Sequence, residues 1–393
     1  MIAAVALGTT ALVGVAGGAI AADDGRVNIA DRFIASGPAA VASTGVHASL
    51  SDMVEAVGPS VVQIQVKPAA LQALPFEPTQ FGSDDSELAD RLGQLFGFGM
   101  QDRHGQFEAP QRQGPQRGSL GSGFIVDASG IVITNNHVVN GADRVTVQMS
   151  DGREFSGRVL GRDAKIDVAV VKIDGKGRFT PIKWGDSDHI RVGDSVFAVG
   201  SPFGLGNTVT SGIVSARGRE IGAGPYDDFL QVDAAINSGN SGGPLFDGAG
   251  RVVGVNTAIF SPTGGNVGIG FAIPAAMARK VALQIAQNGH VSRGRIGVSL
   301  QDMSPEIARA MGSDVTKGAL IAEVEDGGAA ARSGLHRGDV VRRFGSRPVD
   351  NGRDLARAVA EARIGSIVPT QVVRDGRQVS LNLRIASETS GQS

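Results

Sequence analysis

From Gly121 to about Pro274 the chain breaks into short apolar runs, several closed by glycine or an Asp-Gly pair, with little helical spacing between them. Phe124–Val126 and Ile131–Thr134 flank an Asp127–Gly130 turn, and Val145–Met149 leads through Asp151-Gly152 into Glu154–Leu160, the signal of a β-hairpin. Asp167–Ile173 is almost continuously apolar and reads as a strand buried on both faces. Further strands are expected at Ser195–Val199, Val209–Ser215, Phe229–Val232, Val252–Asn256 and Gly268–Ile273. About a dozen short strands with little helix point to a mainly β chain built on one or two closed barrels. The 57 glycines, roughly twice the usual ~7% share, suit so many tight turns.

The flanks read differently. Ser51 is placed to cap a short helix through Val57, which Gly58-Pro59 ends, and Val61–Val66 alternates as a strand from Val62 onward. Residues 67–118 lose that periodicity around one amphipathic stretch, Ser86–Phe96; a loop of this length within a domain is usually functional or disordered. Pro274–Gln287 is helical and stops at Asn288-Gly289. Residues 291–387 then read as strand (Ile296–Leu300), helix (Ser304–Met311), strand (Ala319–Val324), helix (Ala329–Ser333), strand (Asp339–Phe344), helix (Gly352–Arg363) and two strands (Ser366–Arg374, Gln378–Ile385). That is enough chain for an α+β module of its own.

Residues 1–22 carry no charged side chain and contain Ala19-Ile20-Ala21, the small-x-small pattern of an export signal, although no Lys or Arg precedes the run. A stretch of about 20 apolar residues would also serve as a membrane anchor. Either reading places the working chain outside the cytoplasm. The expected division is 1–21 signal peptide or anchor, 22–49 linker, 50–289 β domain with the long loop 67–118, 290–387 α+β module, and 388–393 tail.

Composition removes several function classes. Lys+Arg 37 against Asp+Glu 39 gives a net charge of −2, without the electrostatic footprint of a nucleic-acid binder. Aromatic residues are scarce, so a base-stacking platform is not expected either. Cysteine is absent, which excludes disulfides, thiolate nucleophiles, iron–sulfur clusters and thiolate zinc sites. There is no His-Glu-x-x-His, and Gly200–Gly206 lacks the Lys-Ser/Thr ending of a phosphate loop, so neither a metal nor a nucleotide cofactor is expected.

Chemistry concentrates in Gly239-Asn240-Ser241-Gly242-Gly243-Pro244-Leu245. A serine hydroxyl becomes a useful nucleophile only when a base takes its proton and amides receive the developing oxyanion. Glycines beside it permit the backbone geometry, and the amides of the segment Gly239, Asn240 and Ser241, the first and last above all, are the natural oxyanion donors. A plain glycine-rich turn between strands is the alternative. Of the six histidines, His137 alone closely follows a strand, in Thr134-Asn135-Asn136-His137, where its ring can face a cleft. Asp167, opening an apolar strand, is the candidate that orients the imidazole; Asp163, in what reads as a turn, competes with it. The order His137…Asp167…Ser241 is that of chymotrypsin-like double barrels. The segment also satisfies Gly-x-Ser-x-Gly, but an esterase elbow needs a helix after the serine and the order Ser…Asp…His; here Asp247-Gly248 turns into another strand.

At these residues the chain resembles the HtrA (Deg) family of serine proteases. Gly185-Asp186-Ser187-Asp188, Val192-Gly193-Asp194, Gly200-Ser201-Pro202-Phe203-Gly204, Thr210-Ser211-Gly212-Ile213-Val214-Ser215 and Asp233-Ala234-Ala235-Ile236-Asn237 are similar to family motifs, in family order, over roughly residues 50–387. The resemblance implies a trypsin-like domain of two six-stranded β-barrels followed by a PDZ domain. It implies His137 as base, Asp167 as its orienter and Ser241 as nucleophile, assembly as a homotrimer or a larger trimer-based oligomer, and a long loop 67–118 reaching neighbouring subunits. A periplasmic quality-control endopeptidase that degrades unfolded or misfolded polypeptides is the implied activity.

In this fold the position six before the nucleophile, Ala235, often floors the primary specificity pocket. With Ile236 and Ile259 expected nearby and no charge in sight, cleavage after small aliphatic residues is expected. Arg295-Ile296-Gly297-Val298 resembles the carboxylate-binding loop of PDZ modules, whose backbone amides would hold the C-terminus of a peptide beside a strand edge. The competing class is a chaperone or peptide-sensing scaffold with an idle protease domain. The complete set of three residues favours the enzyme, with which holdase activity can coexist.

Overall fold

The computed structural model describes residues 49–66, 119–201, 207–237, 239–259 and 266–387. The expected leader, the linker except Ser49, the loop 67–118 and the tail lie outside them.

Helix α1 (Leu50–Val57) and a short 3-10 turn lead into β1 (Val61–Gln65). The cap of α1 is Ser49, whose hydroxyl accepts from the Ser51 amide at 3.2 Å, so the helix begins earlier than a Ser51 cap would place it. With β2 (Leu120–Asp127), β3 (Ile131–Thr134), β4 (Arg144–Met149), β5 (Glu154–Asp163) and β6 (Val168–Asp174), β1 closes a six-stranded barrel in the order β1-β2-β3-β6-β5-β4. A second closed barrel, β10-β11-β12-β9-β8-β7, is formed by β7 (Ser195–Gly200), β8 (Thr208–Arg219), β9 (Phe229–Val232), β10 (Pro244–Asp247), β11 (Val252–Ile259) and β12 (Gly270–Pro274). The double six-stranded architecture is therefore present. Closure leaves neither barrel an unpaired strand edge.

The apolar residues of the two barrels sort by strand face into three cores. Ala169, Val171 and Ile173 of β6 point into the first barrel with Val62, Ile64, Val132 and Val147. Their neighbours Val168 and Val170 point the other way, into a layer shared with Phe124, Phe197, Phe246 and Ile273 that joins the barrels. This is why β6 reads as unbroken hydrophobic sequence. Val196, Leu230, Val232, Leu245 and Val253 fill the second barrel. Helix α3 (Ala275–Asn288) lays Ala278, Val281, Ala282 and Ile285 against the joining layer and stops at Gly289, whose φ of +78° suits glycine and whose amide donates to Ile285 O at 2.7 Å.

The C-terminal module carries the sheet β14-β15-β16-β18-β19, made of β14 (Val298–Asp302), β15 (Ala319–Val324), β16 (Val340–Phe344), β18 (Ile367–Arg374) and β19 (Arg377–Arg384); β17 (Arg347–Pro348) pairs with β16. A separate pair joins β13 (Gly294–Arg295) to β20 (Ala386–Ser387). Helices α4 (Pro305–Ala310), α5 (Ala329–Arg332) and α6 (Gly352–Glu361) flank the sheet, with Leu355, Ala358 and Val359 of α6 in its core. The first strand starts at Val298 rather than Ile296, because Ile296 turns inward to 4% exposure and Gly297 takes a φ of +75°. Fully buried Asp339 accepts from Arg374 Nε at 2.6 Å and Nη2 at 2.7 Å, and these bonds hold the guanidinium pKa above its ordinary value. Among the described residues, no helix is long and apolar enough to cross a membrane.

The modules also touch. Arg293, just ahead of β13, is buried and bidentate on Asp163 (2.5 and 2.9 Å), with its guanidinium 5.0 Å from the Tyr226 ring centroid. Arg357 of α6 meets Asp228 at 2.6 Å, and Arg353 pairs with Glu220.

Candidate active site

The histidine sits on a helix the sequence did not announce. Asn135 ends the run of β3 and precedes a single turn, α2 (Asn136–Val139), that buries Val138 and Val139 and leaves the His137 side chain 24% exposed. His137 Nδ1 lies 2.7 Å from Asp167 Oδ2, and the His137 amide donates to Asp167 Oδ1 at 2.9 Å. Both oxygens of one carboxylate thus fix the same residue, one through its ring and one through its backbone.

Asp167 is held just as firmly. It precedes β6 with a φ of +58°, a left-handed conformation that costs a side-chain-bearing residue about 1–3 kcal/mol and persists only where its surroundings impose it. Asn135 Nδ2 donates to its carbonyl at 2.8 Å, and Thr257 Oγ1 donates to Oδ2 at 2.7 Å. The Asp167 side chain is 11% exposed and well supplied with donors, as a buried carboxylate requires. The competitor is removed by its own contacts. Asp163 is the last residue of β5 rather than a turn residue, and both its oxygens are engaged by Arg293, while Oδ1 also accepts from the Ile166 amide at 2.9 Å.

Ser241 follows Gly239, whose φ is +104°, and precedes Gly242 at +83°; the turn is tied by Gly243 N to Asn240 O at 2.9 Å and by Gly242 N to Asn256 O at 2.8 Å. Ser241 Oγ makes a long contact of 3.5 Å with Thr257 O. Thr257 therefore offers its hydroxyl to Asp167 and its carbonyl to Ser241, and so links the serine to the carboxylate that holds His137. Of the expected oxyanion donors, the Asn240 amide is directed elsewhere, donating to Asn237 O at 3.0 Å. The Asn240 side chain instead braces the turn, donating from Nδ2 to Ala235 O at 3.3 Å.

The expected pocket residues separate. Ala235 is half-buried, with its carbonyl also accepting from Thr210 Oγ1 at 2.9 Å, whereas Ile236 and Ile259, 1% and 6% exposed, pack into the core of the second barrel. In the C-terminal module, Ile296 O accepts from Ala330 N at 2.8 Å and Gly297 O from Glu325 N at 3.0 Å. These bonds fold the loop Arg295–Val298 at the start of β14, and Arg295 is already paired with Glu325 at 3.0 Å. Strand β14 bonds to β15 on one side and forms an edge of the sheet.

Three residues that brace this site escaped the sequence reading: Thr257 and Asn135, which hold Asp167, and Ser122, whose hydroxyl donates to Gly239 O. Only Ser122, lying between two glycines in a strand, carries a local hint of close backbone approach.

Comparison with known proteins agrees with this geometry. Residues 121–255 match the model of a trypsin-like peptidase domain and 294–385 that of a PDZ domain. A Brucella suis biovar 1 protein named as a probable periplasmic serine endoprotease DegP-like is 44% identical over 383 residues, covering 91% of this chain and 74% of the relative. The Escherichia coli K12 periplasmic serine endoprotease DegP is 42% identical over 349 residues, covering 88% and 73%. The structure of an HtrA-type protease AlgW with a decapeptide superposes with a TM-score of 0.69 at 37% identity, covering 87% of this chain and all of the other.

Proposed function

The chain belongs to the HtrA family of DegP-like serine endoproteases, and from that premise we propose that it hydrolyses unfolded or misfolded polypeptides in the periplasm through His137, Asp167 and Ser241. The reading rests on one observation above the others: a single carboxylate, Asp167, bonded at once to the ring and the backbone of His137 and to Thr257, which also contacts the Ser241 hydroxyl. Asp167 keeps the Nδ1 proton in place and leaves Nε2 as the base. Ser241 Oγ attacks the scissile carbonyl carbon as its proton passes to Nε2, and the carbonyl π pair moves onto oxygen. The oxyanion is received by the amides of Gly239 and Ser241, since the Asn240 amide is bonded within the turn. Collapse breaks the C–N bond, His137 returns the proton to the departing amine, and water repeats the sequence on the acyl-enzyme.

Ala235 is small, uncharged and half-buried, which suits small aliphatic side chains at the cleaved bond, while Ile236 and Ile259 lie in the core of the second barrel. The edge of β14 and the loop Arg295–Val298 suit the C-terminus of an extended peptide. We extend the same reading to export by residues 1–21, trimeric assembly and coexisting holdase activity.

The test is digestion of unfolded casein by the full chain and by Ser241→Ala and His137→Ala. Each replacement should lower the rate by roughly a millionfold, as in other triads. Digestion persisting in Ser241→Ala would overturn the assignment.

A further inference from the structure

Ser122 lies in β2 of the first barrel, fully buried, yet its contacts reach across to the second. Its amide donates to Ser241 O at 2.8 Å, and its hydroxyl donates to Gly239 O at 2.5 Å while accepting from Ser201 N at 2.9 Å. Its own carbonyl accepts from Thr134 Oγ1 at 2.6 Å, three residues before His137. One residue thus joins the turn that carries the nucleophile and the end of β7 through its side chain, and the strand that leads to the base through its carbonyl. Any residue could supply the amide and the carbonyl. Only a small hydroxyl side chain could supply both remaining bonds in this space.

The space is set by glycines. A Cβ on Gly242 would fall 2.3 Å from Ser122 O and from Thr134 Oγ1, one on Gly243 would fall 3.1 Å from Ser122 Cβ, and one on Gly121 3.1 Å from Ser241 O. Backbone therefore meets backbone where the barrels cross. The Ser122 hydroxyl pins the carbonyl of the Gly239–Asn240 peptide, and Asn237 O pins its amide. Gly239 turns at a φ of +104°, where glycine is free to move, and holding the peptide on its C-terminal side removes the ψ rotation, one of the two through which its amide could change direction.

We propose that Ser122 is the positioning residue of the oxyanion hole: its hydroxyl holds the Gly239 carbonyl and so keeps the Gly239 amide aimed at the reacting carbonyl. The inference rests on Ser241 as nucleophile, and the experiment separates the two. The full chain and its Ser122→Ala variant are compared on a fluorogenic peptide with a small aliphatic residue at the cleaved bond, and on inhibition by the aldehyde of the same peptide. The aldehyde forms a tetrahedral adduct on the serine and reports transition-state complementarity. Losing one direct oxyanion donor costs about 10²–10³ in kcat, so losing the group that aims one should cost on the order of 10- to 100-fold. KM should stay within about twofold, and aldehyde affinity should fall by the same factor as kcat. Unchanged kcat and aldehyde affinity would overturn the inference, as would a loss of kcat with aldehyde affinity retained. If Ser122→Ala fails to fold, near-isosteric Ser122→Cys, a weak donor, carries the comparison, and parental kcat and aldehyde affinity in it would likewise overturn the inference. An active Ser241→Ala would remove the nucleophile itself; an inactive Ser241→Ala beside an unaffected Ser122→Ala removes the role of Ser122 alone.

Discussion

Asp167 combines two demands that few residues meet together. Its backbone occupies the left-handed region, and its carboxylate collects the His137 ring, the His137 amide and the Thr257 hydroxyl. Asparagine tolerates the same backbone and can still accept from the His137 amide, but its NH2 cannot serve as the acceptor for the imidazole. Asp167→Asn is therefore expected to keep a near-parental melting temperature while kcat falls about 10⁴-fold, the order seen when the same change is made in another triad; circular dichroism and peptide hydrolysis check the two halves. Thr257→Val removes one charge-assisted bond of roughly 1.5–3 kcal/mol, so kcat/KM should drop on the order of tenfold or more. The contrast shows what the sequence could convey. His137, Asp167 and Ser241 are legible because the chemistry demands those residue types in a known order. Thr257 is not, because a hydroxyl that steadies a carboxylate 90 residues away has no spacing to betray it.

At the scale of elements, legibility follows the apolar run rather than burial: exposed Ile367–Arg374 is read to within a residue, whereas buried Pro244–Asp247 is not announced. Phe229–Val232 and Ala319–Val324 end where their apolar runs end. Strand β8 continues to Arg219, past the expected end at Ser215, because its outer half is exposed, polar and bulged at Val214/Ala216 and Ala216/Arg219, with no alternation left to follow. The single turn of α2 is too short to show a helical period, although it carries the base. Where elements pack, glycine again decides the fit. A Cβ on Gly161 of β5 would lie 2.2 Å from Gly289 O at the end of α3. Gly161→Ala should therefore destabilise the chain by about 1–3 kcal/mol, the usual cost of overpacking, read as a lower denaturant midpoint.

Across the whole molecule, the contacts between modules differ in kind. The pairs Arg357–Asp228 and Arg353–Glu220 are partly exposed and should contribute about 0–1 kcal/mol, fading with salt. Arg293–Asp163 is a buried pair with side-chain exposures of 8% and 5%. Arg293→Met should cost about 3–5 kcal/mol, and the double change Arg293→Met with Asp163→Leu should recover much of it, because the loss comes from a lone charge left in the interior. Chemical denaturation of the three proteins measures the difference. Neither partner shows its pairing in the sequence, since 130 residues separate them. The modules are consequently not beads on a string. Cutting the chain after residue 289 would carry Arg293 away and leave Asp163 in the barrel that remains without the cation that both its oxygens hold.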